Sequence, residues 1–315
     1  MDDRKTINKQ DIMKIIIKTI LALLLGTPLA YAQDYQFHPP WNTPPESAVN
    51  FTIPGIDNIP DLYGEIENPQ LVIFFAGNQF MVIDDLIKTF KKEYPQYERI
   101  FVETLPPGIL AKQIQGGSLT IGNLKITHTP DVYTAGKRRI TEMADYFDQT
   151  LTYATNKLTL MVPKGNPKNI KSLKDLQRKD VRISMPNPAW EGVGEQIKTA
   201  YRKAGGEELV TAVMETKVAD KSTYLTKIHH RESPLRILEG HADVAPVWYS
   251  ETFFQKMINH PVESITIPDH ENITANYMAG KLKKSKNKQA ATDFMAYLQS
   301  TSAKNIYKKY GFQVD

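Results

Sequence analysis

From Leu71 onward the chain alternates short unbroken apolar runs with segments whose apolar residues recur every three or four positions. That alternation restricts the possible folds more than any other feature. Leu71 to Phe75 is apolar throughout, the pattern of a strand buried on both faces. Ile83, Leu86, Ile87, Phe90 and Tyr94 follow at helical spacing until Pro95 ends the pattern. A strand over Arg99 to Glu103, a turn at Pro106-Pro107-Gly108 and a helix through Leu110 and Ile114, closed by Gly116-Gly117, repeat the unit. Farther on, Leu158, Leu160 and Val162 alternate as a strand, Ser172 with Asp175 reads as a capping box, and Val181 to Ser184 is a strand. Val193, Ile197, Ala200 and Tyr201 mark a helix face that stops at Gly205-Gly206. Val244 to Trp248 is another buried strand, leading into a helix capped by Ser250. The chain finishes with two amphipathic helices, through Phe294, Met295 and Leu298 and through Ile306, Tyr307 and Tyr310. Repeated β-loop-α units predict an α/β fold of mostly parallel sheets flanked by helices. In such sheets ligands gather where loops leave the carboxyl ends of strands and enter helices, whose first N–H groups lack partners.

Ahead of this region stand two segments of different character. Lys14 and Lys18 precede the apolar run Ile20 to Leu25, and Ala30-Tyr31-Ala32 follows, the layout of a secretory signal peptide over residues 1–32, with Met13 as an alternative start. The apolar run is well short of the roughly 20 residues a membrane-spanning helix needs. Residues 33–69 carry Pro39, Pro40, Trp41, Pro44, Pro45, Pro54 and Pro60, which rules out a regular helix and leaves a linker or an extended arm lying on the body, with Trp41, Phe51, Ile53 and Ile56 favouring the arm. The 315 residues include no cysteine, which removes disulfides, thiolate metal sites and lipid attachment through an N-terminal cysteine. Export without a lipid anchor or second span predicts a soluble protein of a Gram-negative periplasm. The net charge is +4, falling to 34 − 32 = +2 if cleavage after Ala32 removes five basic and three acidic residues. The basic run from Lys281 to Lys288 reads as a solvated turn, so neither composition nor charge calls for a nucleic-acid partner.

Four loops stand where a binding pocket is expected: AGNQF (76–80), ETLPPGILAKQIQGG (103–117), PNPAWEG (186–192) and HHRESPL (229–235). Together with FKKE (90–93), PDVY (130–133), NKLTLMVPK (156–164) and YKKYGF (307–312), their order resembles the periplasmic molybdate-binding family of ABC importers. The resemblance spans roughly residues 70–315. It implies a two-lobed type II periplasmic-binding-protein-like fold, with lobe 1 over 70–154 plus about 265–315 and lobe 2 over 155–264. It also implies hinge crossings at Tyr153 to Asn156 and near Ile265 to His270. By position in that family the ligand contacts fall near Asn78 or Gln79, Pro107 or Gly108, Glu191, Arg231 and Tyr249; Asn78, Gln79, Gly108, Glu191, Arg231 and Tyr249 are the expected contacts, with Thr104 and His230 behind them. Where the family pattern has small neutral residues, this sequence has Glu191 and Arg231. A carboxylate repels a bound anion, and at a helix N-terminus it competes for the same amides. A guanidinium attracts oxyanions and carboxylates. An internal Glu191–Arg231 pair or a mixed-charge ligand reconciles the two.

Bland readings stand beside these. Asn78 fits a helix cap, Gly108 a turn requirement, Asp131 a structural role at its strand, and Trp190 either pocket lining or packing between lobes. Glu103, His229 and His230 are candidate metal ligands, but adjacent histidines point apart in a strand and no HExxH occurs, so one histidine reads as a pocket hydrogen-bond donor. No GxSxG, P-loop or GxGxxG is present, and no enzyme activity or cofactor is expected. The sequence therefore predicts a monomeric receptor that carries a small organic or inorganic ligand to an inner-membrane permease. A sensor for a membrane receptor and a metal- or metal-chelate-binding protein are the alternatives.

Overall fold

The computed structural model describes residues 49–51, 61–121, 124–189, 191–227, 229 and 231–314. The expected signal peptide, most of the Pro-rich arm, Trp190 and His230 lie outside them. The described chain begins with β1 (Val49–Phe51) and β2 (Leu62–Gly64), an antiparallel pair that continues the arm into the main sheet. Gly64 has φ of 93°, and a Cβ there would stand 2.1 Å from the Ile100 carbonyl oxygen, so this close approach needs glycine. The apolar run forms β3 (Leu71–Ala76), followed by a 3-10 turn over Gly77–Val82 and by α1 (Ile83–Glu93). Then come β4 (Ile100–Leu105), α2 (Pro107–Gly116), the hairpin of β5 (Leu119–Ile121) and β6 (Leu124–Ile126), β7 (Val132–Gly136) and α3 (Lys137–Glu142).

A single 17-residue strand, β8 (Phe147–Pro163), leads onward. Past it lie β9 (Ile183–Met185), α4 (Gly192–Thr211), β10 (Thr223–Leu225), α5 (Glu232–Leu238), β11 (Ala245–Trp248) and α6 (Tyr249–Met257). The chain returns through β12 (Val262–Thr266) and β13 (Thr274–Leu282) and ends in α7 (Lys288–Leu298) and α8 (Thr301–Lys309). The expected capping box at Ser172 and Asp175 is present. The helix that should stop at Gly205-Gly206 breaks there, with Gly206 at φ 69°.

The sheet order is β1-β2-β4-β3-β7-β13-β8-β11, with β12 also on β8. Strand β3 pairs parallel with β4 and β7, and β9 parallel with β10, as β-loop-α units require. Strands β8 and β13 add antiparallel pairs to each other and to β7, β11 and β12. Side chains alternate between layers. Leu71, Ile73 and Phe75 pack with α1, α7 and α8, while Val72 and Phe74 face Leu110 and Ile114 of α2. Lower on β8, Leu158, Leu160 and Val162 join a second core with Ile183, Ile197 and Tyr201, and Met161 faces Ala245 and Val247. The fold thus has two cores along one spine, the continuous strand β8.

Two predicted details come out differently. Helix α6 begins one residue before Ser250: the Glu251 carboxylate accepts the Trp248 N–H at 3.2 Å, and Ser250 Oγ accepts Asn156 Nδ2 at 2.8 Å. The strand expected from Val181 starts at Ile183. Asp131 is structural, accepting from Val72 N–H, Asn287 N–H and Nδ2, and the Ser285 hydroxyl at 2.7–3.0 Å.

Candidate functional site

A cleft of about 210 Å³ opens where strands of both cores end. From the first core it is walled by Ala76 at the end of β3 and Asn78 just after it, Pro107 and Gly108 at the start of α2, and Gly136 to Arg139 at the junction of β7 and α3. From the second core come Glu191, Gly192, Val193 and Gln196 at the start of α4, and Trp248 at the end of β11. Thr274 to Tyr277, the beginning of β13, lies between. Each wall is a strand-to-helix junction or a crossing strand, which is where an α/β sheet presents partnerless helix amides. Pro107 has no N–H, so Gly108 supplies an N–H in the first turn of α2.

Asn78, Gly108 and Glu191, all expected contacts, are brought to this one cleft. Asn78 is 4% exposed, and its Nδ2 donates to the Tyr277 hydroxyl in a short hydrogen bond. Glu191 does not cap α4 as expected. Its carboxylate turns back to accept the Asn187 N–H at 3.2 Å and, in a short hydrogen bond, the Thr226 hydroxyl. The amides of Gly192 and Val193 are thereby left uncapped by this side chain, and by position they have no intrahelical acceptor. Gly194, one residue on, lets the loop lie on the helix: a Cβ there would come within 2.6 Å of Pro186 O and 2.7 Å of Pro188 N.

The other expected contacts are placed elsewhere. Gln79, adjacent to Asn78 in the 3-10 turn, points into the core, donating to Thr134 Oγ1 at 3.1 Å and accepting from the Tyr153 and Tyr307 hydroxyls at 2.7 and 2.9 Å. Gln79→Leu takes the shared acceptor from the buried Tyr153 and Tyr307 hydroxyls, while Thr134 Oγ1 keeps the Ala76 N–H, and is expected to cost about 3 kcal/mol in urea unfolding. A residue facing only solvent or ligand changes stability by no more than about 0.5 kcal/mol. Thr104 is buried, and its N–H donates to the Asp61 carbonyl at 2.8 Å. Tyr249 is 41% exposed beside Phe253, and the preceding residue, Trp248, takes the place in the cleft, its ring edge-on to Tyr277 at 6.1 Å.

Arg231 departs furthest from expectation. It is fully buried, forms a short ion pair with Asp61, lies 2.9 Å from His229 Nε2, and stacks over Phe80 at 5.5 Å. Its guanidinium faces the arm-side residue Asp61 rather than Glu191. His229 Nε2 is 2.8 Å from the same Asp61 oxygen. Burial pushes the Asp61 carboxyl up, but His229 and Arg231 outweigh burial and hold it below the ordinary carboxylate range. Glu103, beside this cluster, accepts from Gln113 Nε2 at 2.9 Å. Burial raises its pKa to about 8, the Gln113 bond opposing and the Asp61 charge adding to the rise. Among the described residues no three His, Cys, Asp or Glu side chains group as a metal site. No helix of the described residues is long and apolar enough to cross a membrane.

Sequence reading passed over Lys137, Arg138, Arg139, Gln196, Trp248 and the Asn276-Tyr277 edge. The run AGKRR (135–139) follows an apolar strand and opens a helix, the same signal that marked the other loops.

A sequence profile described as bacterial extracellular solute-binding protein matches residues 71–313. The chain is 25% identical over 250 residues, 78% of its length and 86% of the relative's, to the "Putative ABC transporter substrate-binding lipoprotein YvgL" of Bacillus subtilis (strain 168). Among solved structures, the periplasmic molybdate-binding protein of Azotobacter vinelandii superposes with a TM-score of 0.62 at 18% identity, over 78% of this chain and 99% of that one. The periplasmic binding protein AfuA of Actinobacillus pleuropneumoniae, with fructose-6-phosphate bound, gives 0.61 at 15% identity, over 78% and 84%. At these identities the superpositions establish the two-lobed periplasmic-binding-protein fold.

Proposed function

The chain belongs to the bacterial extracellular solute-binding proteins, and on that premise we propose that it is the receptor of an ABC importer, capturing a small anionic solute in the cleft. The observation that carries this reading is the make-up of the walls: Lys137, Arg138 and Arg139 on one side, with the first-turn amides of α2 and α4. Such donors favour negative charge, and more strongly once closure excludes water. The proteins of like fold named above carry molybdate or a sugar phosphate, both anions, and the curated relative is named for an ABC transporter.

The lobes of this reading are residues 70–154 with about 265–315, and 155–264. They hinge where the chain crosses between the two cores. Asparagines tie both crossings: Asn156 Nδ2 donates to Ser250, and Asn272 holds Leu158 N–H and C=O at 3.0 and 2.9 Å. The protein acts as a monomer in the periplasm after removal of a leader near Ala32, binds without catalysing, and hands its solute to an inner-membrane permease. The test is X-ray scattering and native mass spectrometry of the protein with the small-molecule fraction of a bacterial extract. A retained small molecule with a fall in radius of gyration is expected. Absence of both retention and compaction would overturn the receptor role.

A further inference from the structure

Resting on the receptor reading, the geometry points to a phosphomonoester with a hydroxyl-bearing organic body as the solute, rather than a bare tetrahedral oxyanion. Three features of the cleft carry this: charge, size and the division of the walls.

Glu142 is shared by Arg138 at 3.2 Å and Arg139 at 2.9 Å, while Lys137 has no ion-pair partner among the described residues. Three cations against one carboxylate leave two net positive charges at this wall, matching the charge of about −1.5 to −2 on a phosphomonoester at neutral pH. Two guanidiniums and an ammonium also suit the three terminal oxygens of a phosphomonoester better than the two of a carboxylate. As for size, about 210 Å³ is more than ten times the roughly 10–15 Å³ that suffices, on the same measure, to hold one water. A bare oxyanion, four oxygens around one centre, leaves room in it for further atoms.

The remaining walls suit an organic body. Gln196 and Asn276 border the cleft, and among the described residues neither side-chain amide has a protein partner, so each offers a donor and an acceptor to hydroxyls. Trp248 adds an aromatic surface for the apolar face of a carbon skeleton. Glu191, on the second core's wall, opposes a naked anion bound at α4, whereas a carboxylate accepts readily from hydroxyls. Phosphate against the cations and hydroxyls toward the second core satisfy both signs of charge at once.

Isothermal titration with glucose 6-phosphate, glycerol 3-phosphate, phosphoserine, glucose, inorganic phosphate, molybdate and citrate tests the inference. At least one phosphomonoester is expected to bind on the order of 100-fold tighter than inorganic phosphate or molybdate, with glucose giving no heat. Added salt should weaken it, since the cations are partly exposed. Lys137→Ala/Arg138→Ala/Arg139→Ala, changed together on the surface, should retain the wild-type melting temperature and lose on the order of 100-fold in affinity for that ester. Molybdate or inorganic phosphate binding as tightly as the esters, or citrate binding tightest, would overturn the solute class and leave the receptor role standing. The same holds for silence of every ester while an extract component still compacts the protein, or for an unchanged affinity of the triple variant.

Discussion

Replacing Arg231 by methionine is expected to destabilise the protein by about 3–5 kcal/mol, because it leaves the Asp61 carboxylate buried without its guanidinium. The ion pair joins residues 170 apart in sequence, and neither side chain is more than 2% exposed. Methionine has comparable bulk, so the loss is mainly electrostatic, with a smaller contribution from the lost stacking on Phe80. The double variant Asp61→Asn/Arg231→Met should recover most of the stability, since a buried pair replaced as a unit is often near neutral. Urea unfolding of wild type, Asp61→Asn, Arg231→Met and the double variant gives the coupling directly. The sign with pH follows from the carboxyl. Asp61 is held below its ordinary value in the fold, so the pair's contribution is present above the unfolded value of 3.8 and lost as pH falls through the lower folded value. Wild type and Arg231→Met should therefore converge in stability in strong acid. A gap that persisted unchanged at low pH would show that bulk, not charge, sets the effect.

Glu103 has the opposite dependence. Its folded pKa of about 8 lies above the ordinary 4.5, so the folded protein keeps a proton that the unfolded chain releases. Stability should fall as pH rises from about 4.5 to about 8 through this group alone, by an amount on the order of a few kcal/mol at 1.36 kcal/mol for each pH unit. Glu103→Gln keeps the acceptor for Gln113 and removes the titration. It should raise the melting temperature at pH 8–9, change little at pH 4, and flatten the slope between. An equal shift at both ends of the range would count against a titrating Glu103.

The fold was legible because a strand such as β3 is buried on both faces and wholly apolar over Leu71 to Phe75, while α1 announces itself by spacing and by Pro95. The site was legible to the level of the loop and no finer. Asn78 and Gln79 are neighbours in one 3-10 turn, where successive side chains diverge by about a third of a turn; one reaches the cleft and the other the core. The same one-residue resolution separates Trp248, which ends a strand, from Tyr249, which begins a helix on the surface. Arg231 illustrates a different limit. A cation in a loop next to a pocket reads as a ligand contact, and the acid that claims it comes from a proline-rich segment with no helical or strand period to fix its path. Glu191 lines the cleft, but the direction of its carboxylate depends on Thr226, 35 residues later.

The unbroken path of β8 through both cores bears on the order in which a ribosome can complete the protein. The second core draws on residues between Leu158 and Ile267, nearly contiguous, whereas the first needs β13, α7 and α8, which are made after them. Early in synthesis the N-terminal half has its strands but not the partner that lies between β7 and β8 in the sheet. Closure at such long sequence separation is slow. Whatever handles the nascent polypeptide before its final helices emerge therefore meets an open, unlocked chain.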